Sequence, residues 1–305
     1  MSVLCYGLLC IDHVVRVRRY PEPNGYAPIL EQAEFIGGEA ANAAVALSRL
    51  GEPVLLAGNR LGDDRRGRLL LERLARYRGI DTSMVRQGAD VETKYALILS
   101  ALDGSRTVLG WSIRLQGEPL TETDFEGIKL LVLDPFFGKT SIAAAQLAHR
   151  LGLPVHTTEI GKNHPIADYC DVVINSNDAI GQQKRGDAAT TARHLLDAGV
   201  QTVVVTSGAE GCTVFDRTLG IFRQAAFPVA VMDTLGAGDT FRAGFVYGWL
   251  RKWELPRIVK FASAVGALNC TGIGGSEHAP TLNQVEALLS RSEHPVGNAA
   301  TDGTR

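Results

Sequence analysis

Short, continuous apolar runs alternate along this chain with segments of helical period. The runs at 2–9 (SVLCYGLL), 53–58 (PVLLAG), 129–137 (KLLVLDPFF), 154–159 (PVHTTE), 171–176 (DVVINS) and 201–208 (QTVVVTSG) read as strands buried on both faces. EAANAAVALSRLG (39–51) reads as a helix, with small residues early and Gly51 as its stop. DDRRGRLLLERLARYRG (63–79) is amphipathic, acidic at its start and arginine-bearing near its end, as the helix dipole favours. TSIAAAQLAHRLG (140–152) and DAATTARHLLDAG (187–199) predict two more helices. Strands alternating with helices imply a largely parallel sheet covered on both faces, the α/β class.

Three segments depart from that rhythm. Residues 16–38 are polar with Pro and Gly turn signals and predict short strands. Residues 93–111 predict a hairpin turning at Asp103-Gly104. Together these two form a small sheet beside the main one. Residues 211–233 (GCTVFDRTLGIFRQAAFPVAVMD) predict hairpin-like strands, the last of them FPVAVMD, followed by consecutive helices in 236–252 and 256–272. One domain is expected over 1–290, with lid strands in about 14–35 and 91–116. The polar tail 291–305 is expected to be disordered.

Composition narrows the function classes. The 305 residues are 45% hydrophobic, enough for one large domain. The formal net charge is −2 and no basic run stands out, which argues against a nucleic-acid surface. No apolar run approaches a bilayer's thickness, and the start lacks the basic n-region of a signal peptide. Five scattered cysteines, none in C-x-x-C, fit reduced, buried thiols and a cytoplasmic location.

The chemistry concentrates in VMDTLGAGDTFRAGF (231–245), where Asp233 and Asp239 flank Gly236-Ala237-Gly238 at the start of a helix. Unpaired amides at such a helix start stabilise an anion, above all one that grows in a transition state. Asp239 can simply favour the helix dipole. It also stands where a carboxylate can take a proton from a substrate hydroxyl. An anion cradle beside a base is the minimum equipment for phosphoryl transfer to an alcohol. The second motif, IGGEAANAAVALSRLG (36–51), offers close backbone access at Gly37-Gly38 and a two-way hydrogen-bonding group at Asn42; alone it could be only a turn before a helix.

In this order, GGEAANAAVALSRLG and DTLGAGDTF resemble the two signatures of the ribokinase-like (PfkB) carbohydrate kinase family, and the likeness runs from CYGLLCIDHV to about residue 280. The resemblance implies a Rossmann-type three-layer α/β/α core with a small β-sheet lid over the sugar. It makes Asp239 the base, with Gly236, Ala237 and Gly238 the anion hole for the γ-phosphate. It gives Asp12, Gly37, Gly38 and Asn42 to the sugar. VVVTSGAEGC looks like the nucleotide loop, with Thr206, Gly208 and Gly211, and FASAVGALNCTGIGG like the adenine wall, with Ala264 and Asn269. Asp233 matches the monovalent-cation (K+) position; a plain helix-entry carboxylate is the other reading. Where many members carry N-x-x-E near Mg2+, this chain has Asn175 and Asp178, one methylene shorter. Mg2+ is then held chiefly by ATP oxygens, with Asp178 acting through water.

Glu39 stands where sugar-phosphate kinases of the family often have Lys. A Glu bordering the pocket repels an anionic substrate, whereas a solvent-facing one does nothing. VLCYGLLCIDHVV, DGSRTVLGW, EIGK and MDTLGAGDTF also resemble ketohexokinase, in which the lid arginine lies near the phosphates, although GGNASNS is missing. Arg106 and Lys162 are accordingly charge-neutralising candidates, and a ketohexose such as fructose leads the substrates. Ribose, a nucleoside or another keto sugar remain open. A homodimer through the lid edges is also implied. A dinucleotide oxidoreductase would need G-x-G-x-x-G after the first strand, and GLLCIDHV lacks it. A non-catalytic sugar-binding relative would be expected to lose the base or the anion hole, and both motifs are kept.

Overall fold

Along the chain come β1 (Ser2–Gly7), β2 (Cys10–Val17), β3 (Ile29–Gly37), α1 (Glu39–Arg49) and β4 (Val54–Gly58). The short strands β5 (Leu61–Gly62), β6 (Ile80–Asp81) and β7 (Gln87–Gly88) surround α2 (Arg65–Leu74). β8 (Tyr95–Ala101), β9 (Arg106–Leu109), β10 (Ile128–Leu133), α3 (Lys139–Arg150), β11 (Val155–Thr158) and β12 (Val172–Ser176) follow. The last elements are α4 (Asn177–Gln182), α5 (Ala188–Asp197), β13 (Thr202–Thr206), β14 (Cys212–Asp216), β15 (Gly220–Gln224), α6 (Ala237–Leu250), α7 (Leu255–Asn269) and α8 (Leu282–Glu293). This computed structural model describes residues 1–110, 115–182 and 187–293.

Nine strands form the main sheet in the order β15-β14-β13-β12-β11-β10-β1-β4-β6. All pairs are parallel except β13–β14 and β14–β15. Strand alternation sends Leu4 and Tyr6 of β1 to one face, where they meet Leu131, Leu133, Ala145 of α3 and Leu195 of α5. Val3 and Cys5 point the other way, onto Ala43 and Leu47 of α1 and Ala243 and Val246 of α6. α7 extends that second layer, with Val259 and Ala262 against Phe245 and the β12–β14 strands. This is the three-layer core expected.

The second sheet has the order β3-β2-β8-β9. β2 leaves β1 after only Leu8 and Leu9, and β3 runs through Gly37-Gly38 directly into α1, so the lid is tied to the core at the site itself. The hairpin turns at Asp103-Gly104, whose glycine takes φ +84°. Asp103 Oδ1 accepts the Ser105 amide at 2.9 Å. α2 begins as its sequence predicts, with Asp64 accepting the Gly67 amide at 2.8 Å.

Two expectations are corrected. FPVAVMD forms no strand: β15 ends at Gln224 and residues 225–236 run as a loop to α6. Pro228 offers no amide to a ladder, and Val231 and Met232 are exposed. Nor does the tail begin at 291, since α8 continues to Glu293; the rest of the expected tail, 294–305, lies outside the described residues, as does Trp111 of the hairpin segment. Among the described residues no helix is long and apolar enough to cross a membrane. All five cysteines are buried free thiols.

Candidate active site

β1 has β4 on one side and β10 on the other, so the chain's two directions of travel across the sheet part between β1 and β10. In open α/β sheets the ligand crevice lies beyond the strand ends at such a point. The carboxyl end of β10 delivers Asp134, fully buried, whose Oδ2 accepts the Leu8 amide at 2.9 Å. Gly7 makes this possible, because a side chain there would occupy the space of that carboxylate.

α6 points its first turn into the same crevice. Gly236 caps it in the left-handed conformation, φ +69°, and any Cβ there would collide with the Gly275 carbonyl. The Gly238 and Asp239 amides have, by position, no carbonyl of their own helix to bond. Asp239 Oδ2 accepts the Asn42 amide at 2.9 Å, across 197 residues of sequence. Burial pushes the Asp239 carboxyl up to about 6, against the pull of Arg242 and the Asn42 hydrogen bond.

Asp12 sits on β2, 5% exposed, with room made for it by Gly37. Burial, with Asp239 and Glu277 as neighbouring negative charges, pushes it to about 8. Asn42 Oδ1 is buried without a partner and lies beside Gly275, so one acceptor is left for a ligand. Arg106, at the start of β9, reaches from the lid to the Thr234 hydroxyl and adds positive charge near Asp239. A cavity of about 220 Å³ continues along the lid, lined by Val14, Phe35, Ser100, Met232 and His278, and stops two residues short of Asp12 on β2.

The remaining candidates separate into two groups. Thr206 ends β13, and Gly208 and Gly211 follow it, both at positive φ. The Thr206 hydroxyl donates to the Asn175 carbonyl at 3.4 Å. The Asn175 side chain is buried and committed to the Ile160 backbone, accepting its amide at 3.2 Å and donating to its carbonyl at 2.8 Å. It holds the segment that carries Lys162, which is exposed. Asp178 is exposed at the start of α4.

Ala264 and Asn269 do not offer an open wall. Ala264 is fully buried among Tyr247, Phe261 and Val265. Asn269 is fully buried and donates to the Leu235 and Gly275 carbonyls, both at 3.0 Å. Asp233 accepts the Leu235 amide at 3.0 Å and the Gly274 amide at 3.1 Å. Asn269 and Asp233 thus fix the turn that shapes Gly236. Among the described residues no three His, Cys, Asp or Glu side chains come together as a metal cluster.

Sequence reasoning passed over Asp134 and Arg242, which pair at 2.8 Å while 0% and 2% exposed at the side chain. Their signal was a lone arginine inside the apolar run TFRAGFVYGWL. Glu39, singled out as a possible pocket wall, sends its carboxyl inward: Oε2 is buried without a partner, near Asp134, Asp239 and Arg242.

The model of the pfkB family carbohydrate kinases matches residues 1–282. An ATP-dependent ribose-1-phosphate kinase of Halopiger xanaduensis is 31% identical over 95% of this chain and 98% of its own. A 5-dehydro-2-deoxygluconokinase of Geobacillus kaustophilus is 27% identical over 98% and 96%. Among solved structures, a putative ribokinase from Agrobacterium tumefaciens superposes with a TM-score of 0.84 at 24% identity, covering 96% of this chain and 98% of that one.

Proposed function

This chain belongs to the pfkB family of carbohydrate kinases, a phosphotransferase acting on a sugar hydroxyl, and from that premise we propose that it moves the γ-phosphate of ATP to a small neutral sugar. The observation that carries the proposal is the Asp239–Asn42 contact at 2.9 Å, in the first turn of a helix with free amides. In this reading Asp239 is the base and stands beside an anion cradle. In this reading the sugar lies between Asp12, Gly37, Gly38, Asn42 and the lid. Asp239 takes the hydroxyl proton, and the 236–238 backbone holds the developing charge. ATP lies along Thr206, Gly208 and Gly211. Arg106 and Lys162 reach toward its phosphates, and Asn175 fixes the Lys162 segment. Bound with ATP, Mg2+ would supply charge neutralisation at the phosphates, and Asp178, exposed, would hold it through water. Asp233, buried at the turn before α6, would be the residue of a K+ site.

Neutrality of the sugar is supported by the charge count in the crevice. Among the described residues, Asp12, Glu39, Asp134 and Asp239 face Arg242, which Asp134 takes, and Arg106 of the lid. Burial and like charge already push the Asp12 carboxyl up to about 8, and a carboxylate or phosphate beside it would oppose its ionised form further, whereas a neutral sugar would not. Fructose, as the choice within neutral sugars, rests on the sequence stretches only. A second reading, an anionic sugar, is favoured by the names of the two relatives and by His278 and Arg16 along the 220 Å³ cavity. Arg16, however, already pairs with Glu31 at 2.7 Å.

ADP release from ATP·Mg with a panel of neutral sugars, sugar acids, sugar phosphates and nucleosides, with and without potassium, separates these readings. Turnover with a neutral ketose or aldose is expected. Turnover confined to an acid or a phosphate keeps the kinase and removes the neutral assignment.

The lid supports a homodimer. Its outer strands β3 and β9 expose Ile29, Leu30, Val108 and Leu109. Such edges invite pairing. Sedimentation at micromolar protein is expected to give a dimer, and Ile29→Lys with Val108→Lys a monomer; a monomeric wild type removes the assignment.

A further inference from the structure

α6 is apolar where it meets the core, with Phe241, Ala243, Phe245 and Val246 all buried, yet Arg242 stands among them 1% exposed. Nη1 donates to Asp134 Oδ1 at 2.8 Å and Nη2 to the Glu39 carbonyl at 3.0 Å. Hydrocarbon of similar volume in place of a buried ion pair is often neutral or stabilising, so packing does not account for an arginine here. Position does. Arg242 lies three residues beyond Asp239, on the same helix face, and its two anchors come from the other walls of the crevice.

Most of the groups around the base are acids. α1 presents Glu39, the end of β10 presents Asp134, and β2 presents Asp12 and the Cys10 thiol. Glu277 and Asp233 stand beyond Asp12. Positive charge comes from Arg106 on the lid and Arg242 on α6. Behind Arg242 lie Cys5 of β1 and His156 of β11. Both are neutral at pH 7, since burial pushes the thiol up to about 12 and the imidazole down to about 3.

We propose that Arg242 is a positioning residue for the base: clamped by Asp134 and the Glu39 carbonyl, it holds a fixed positive charge behind Asp239 that keeps this buried carboxylate ionised at neutral pH. The inference rests on Asp239 being the base. Asp134 fixes the guanidinium and also moderates it, because its own charge opposes ionisation of Asp239.

The test reads the carboxyl itself. Protein labelled with 13Cγ-aspartate is titrated by NMR, and Asp239 is assigned as the resonance missing from Asp239→Asn. Glu39→Gln is present in every sample, so that one carboxyl of the facing pair is read. Arg242→Met is expected to raise the Asp239 midpoint by about one to three units, the usual effect of removing an adjacent opposite charge. Arg242→Lys keeps the midpoint near its starting value, and Asp134→Asn lowers it. A folded Arg242→Met with an unmoved midpoint overturns the proposal, and so does an upward shift in Asp134→Asn. If Arg242→Met fails to fold around an unpaired Asp134, Arg242→Met/Asp134→Asn is compared with Asp134→Asn. A higher midpoint in the double variant supports the proposal and equal midpoints overturn it. Because no turnover enters this measurement, it fails separately from the base assignment, which falls if Asp239→Asn phosphorylates sugar normally.

Discussion

Asp239→Asn is expected to lower kcat at least about a hundredfold while leaving the sugar KM within a few-fold of wild type. The lower bound is the usual contribution of a positioned general base. Asn keeps the shape and can still meet the Asn42 amide, so the sugar pocket is preserved, but it cannot take the hydroxyl proton. Binding and chemistry therefore separate, as they should when only a transition-state interaction is lost. The pH dependence gives a second check. With the Asp239 carboxyl at about 6, wild-type kcat/KM falls as pH drops through about 6, where the base becomes protonated. The residual activity of the variant should lack that limb. The fold should not suffer. A carboxyl whose folded value lies above its unfolded 3.8 opposes folding once it ionises, so Asn relieves that penalty above about pH 6. Steady-state kinetics across pH 5–9 decide it, and near-normal turnover would remove Asp239 from the chemistry.

The two motifs that led to this site were readable because each compresses a geometric demand into adjacent residues. G-A-G-D holds a left-handed cap, two free amides and the carboxylate proposed as base within four positions. G-G-x-x-x-N holds the space for Asp12 and the amide that meets Asp239. The parallel strands were readable for a related reason: buried on both faces, they show apolar runs with no ambiguity of face. FPVAVMD shows the limit of that signal. Its apolar content matches a strand, but Pro228 and the lack of a neighbouring ladder leave it as a loop lining the cavity mouth. Ala264 and Asn269 show another limit, since a helix segment can match a family's pattern while its side chains point inward. The Asp134–Arg242 pair, 108 residues apart, was the least readable. Nothing local links the two residues, and only topology, by ending β10 beside α6, brings them together.

The same crowding of carboxylates makes Asp12 the site of an expected trade between stability and binding. Asp12→Asn should raise the thermal stability of the ligand-free protein at pH 9 and leave it unchanged near pH 4. The sign follows from its raised value. The folded protein prefers the protonated acid, so there is no penalty below the unfolded value of 3.8, and the penalty grows with pH until it is complete above about 8. That gap of about four units corresponds to roughly 5 kcal/mol as a ceiling, at 1.36 kcal/mol per unit. Asn avoids all of it, keeps the volume that Gly37 leaves open, and leaves Glu277 and Asp239 with one fewer like charge nearby. Sugar binding should move the opposite way. Hydrogen bonds from sugar hydroxyls to a charged acceptor are worth about 1.5–3 kcal/mol each, and with the Asp12 carboxyl at about 8 that charged form dominates at pH 9. Losing one of them raises KM at pH 9 by about ten- to a hundred-and-fifty-fold, with a smaller change in kcat. Melting curves at pH 4, 7 and 9 beside KM for the best sugar of the panel test both halves. An Asp12→Asn protein no more stable than wild type at pH 9 would show that the buried carboxyl is better solvated than its surroundings indicate. Unchanged KM would move the sugar away from β2, and with it the reading of the lid as the sugar's cover.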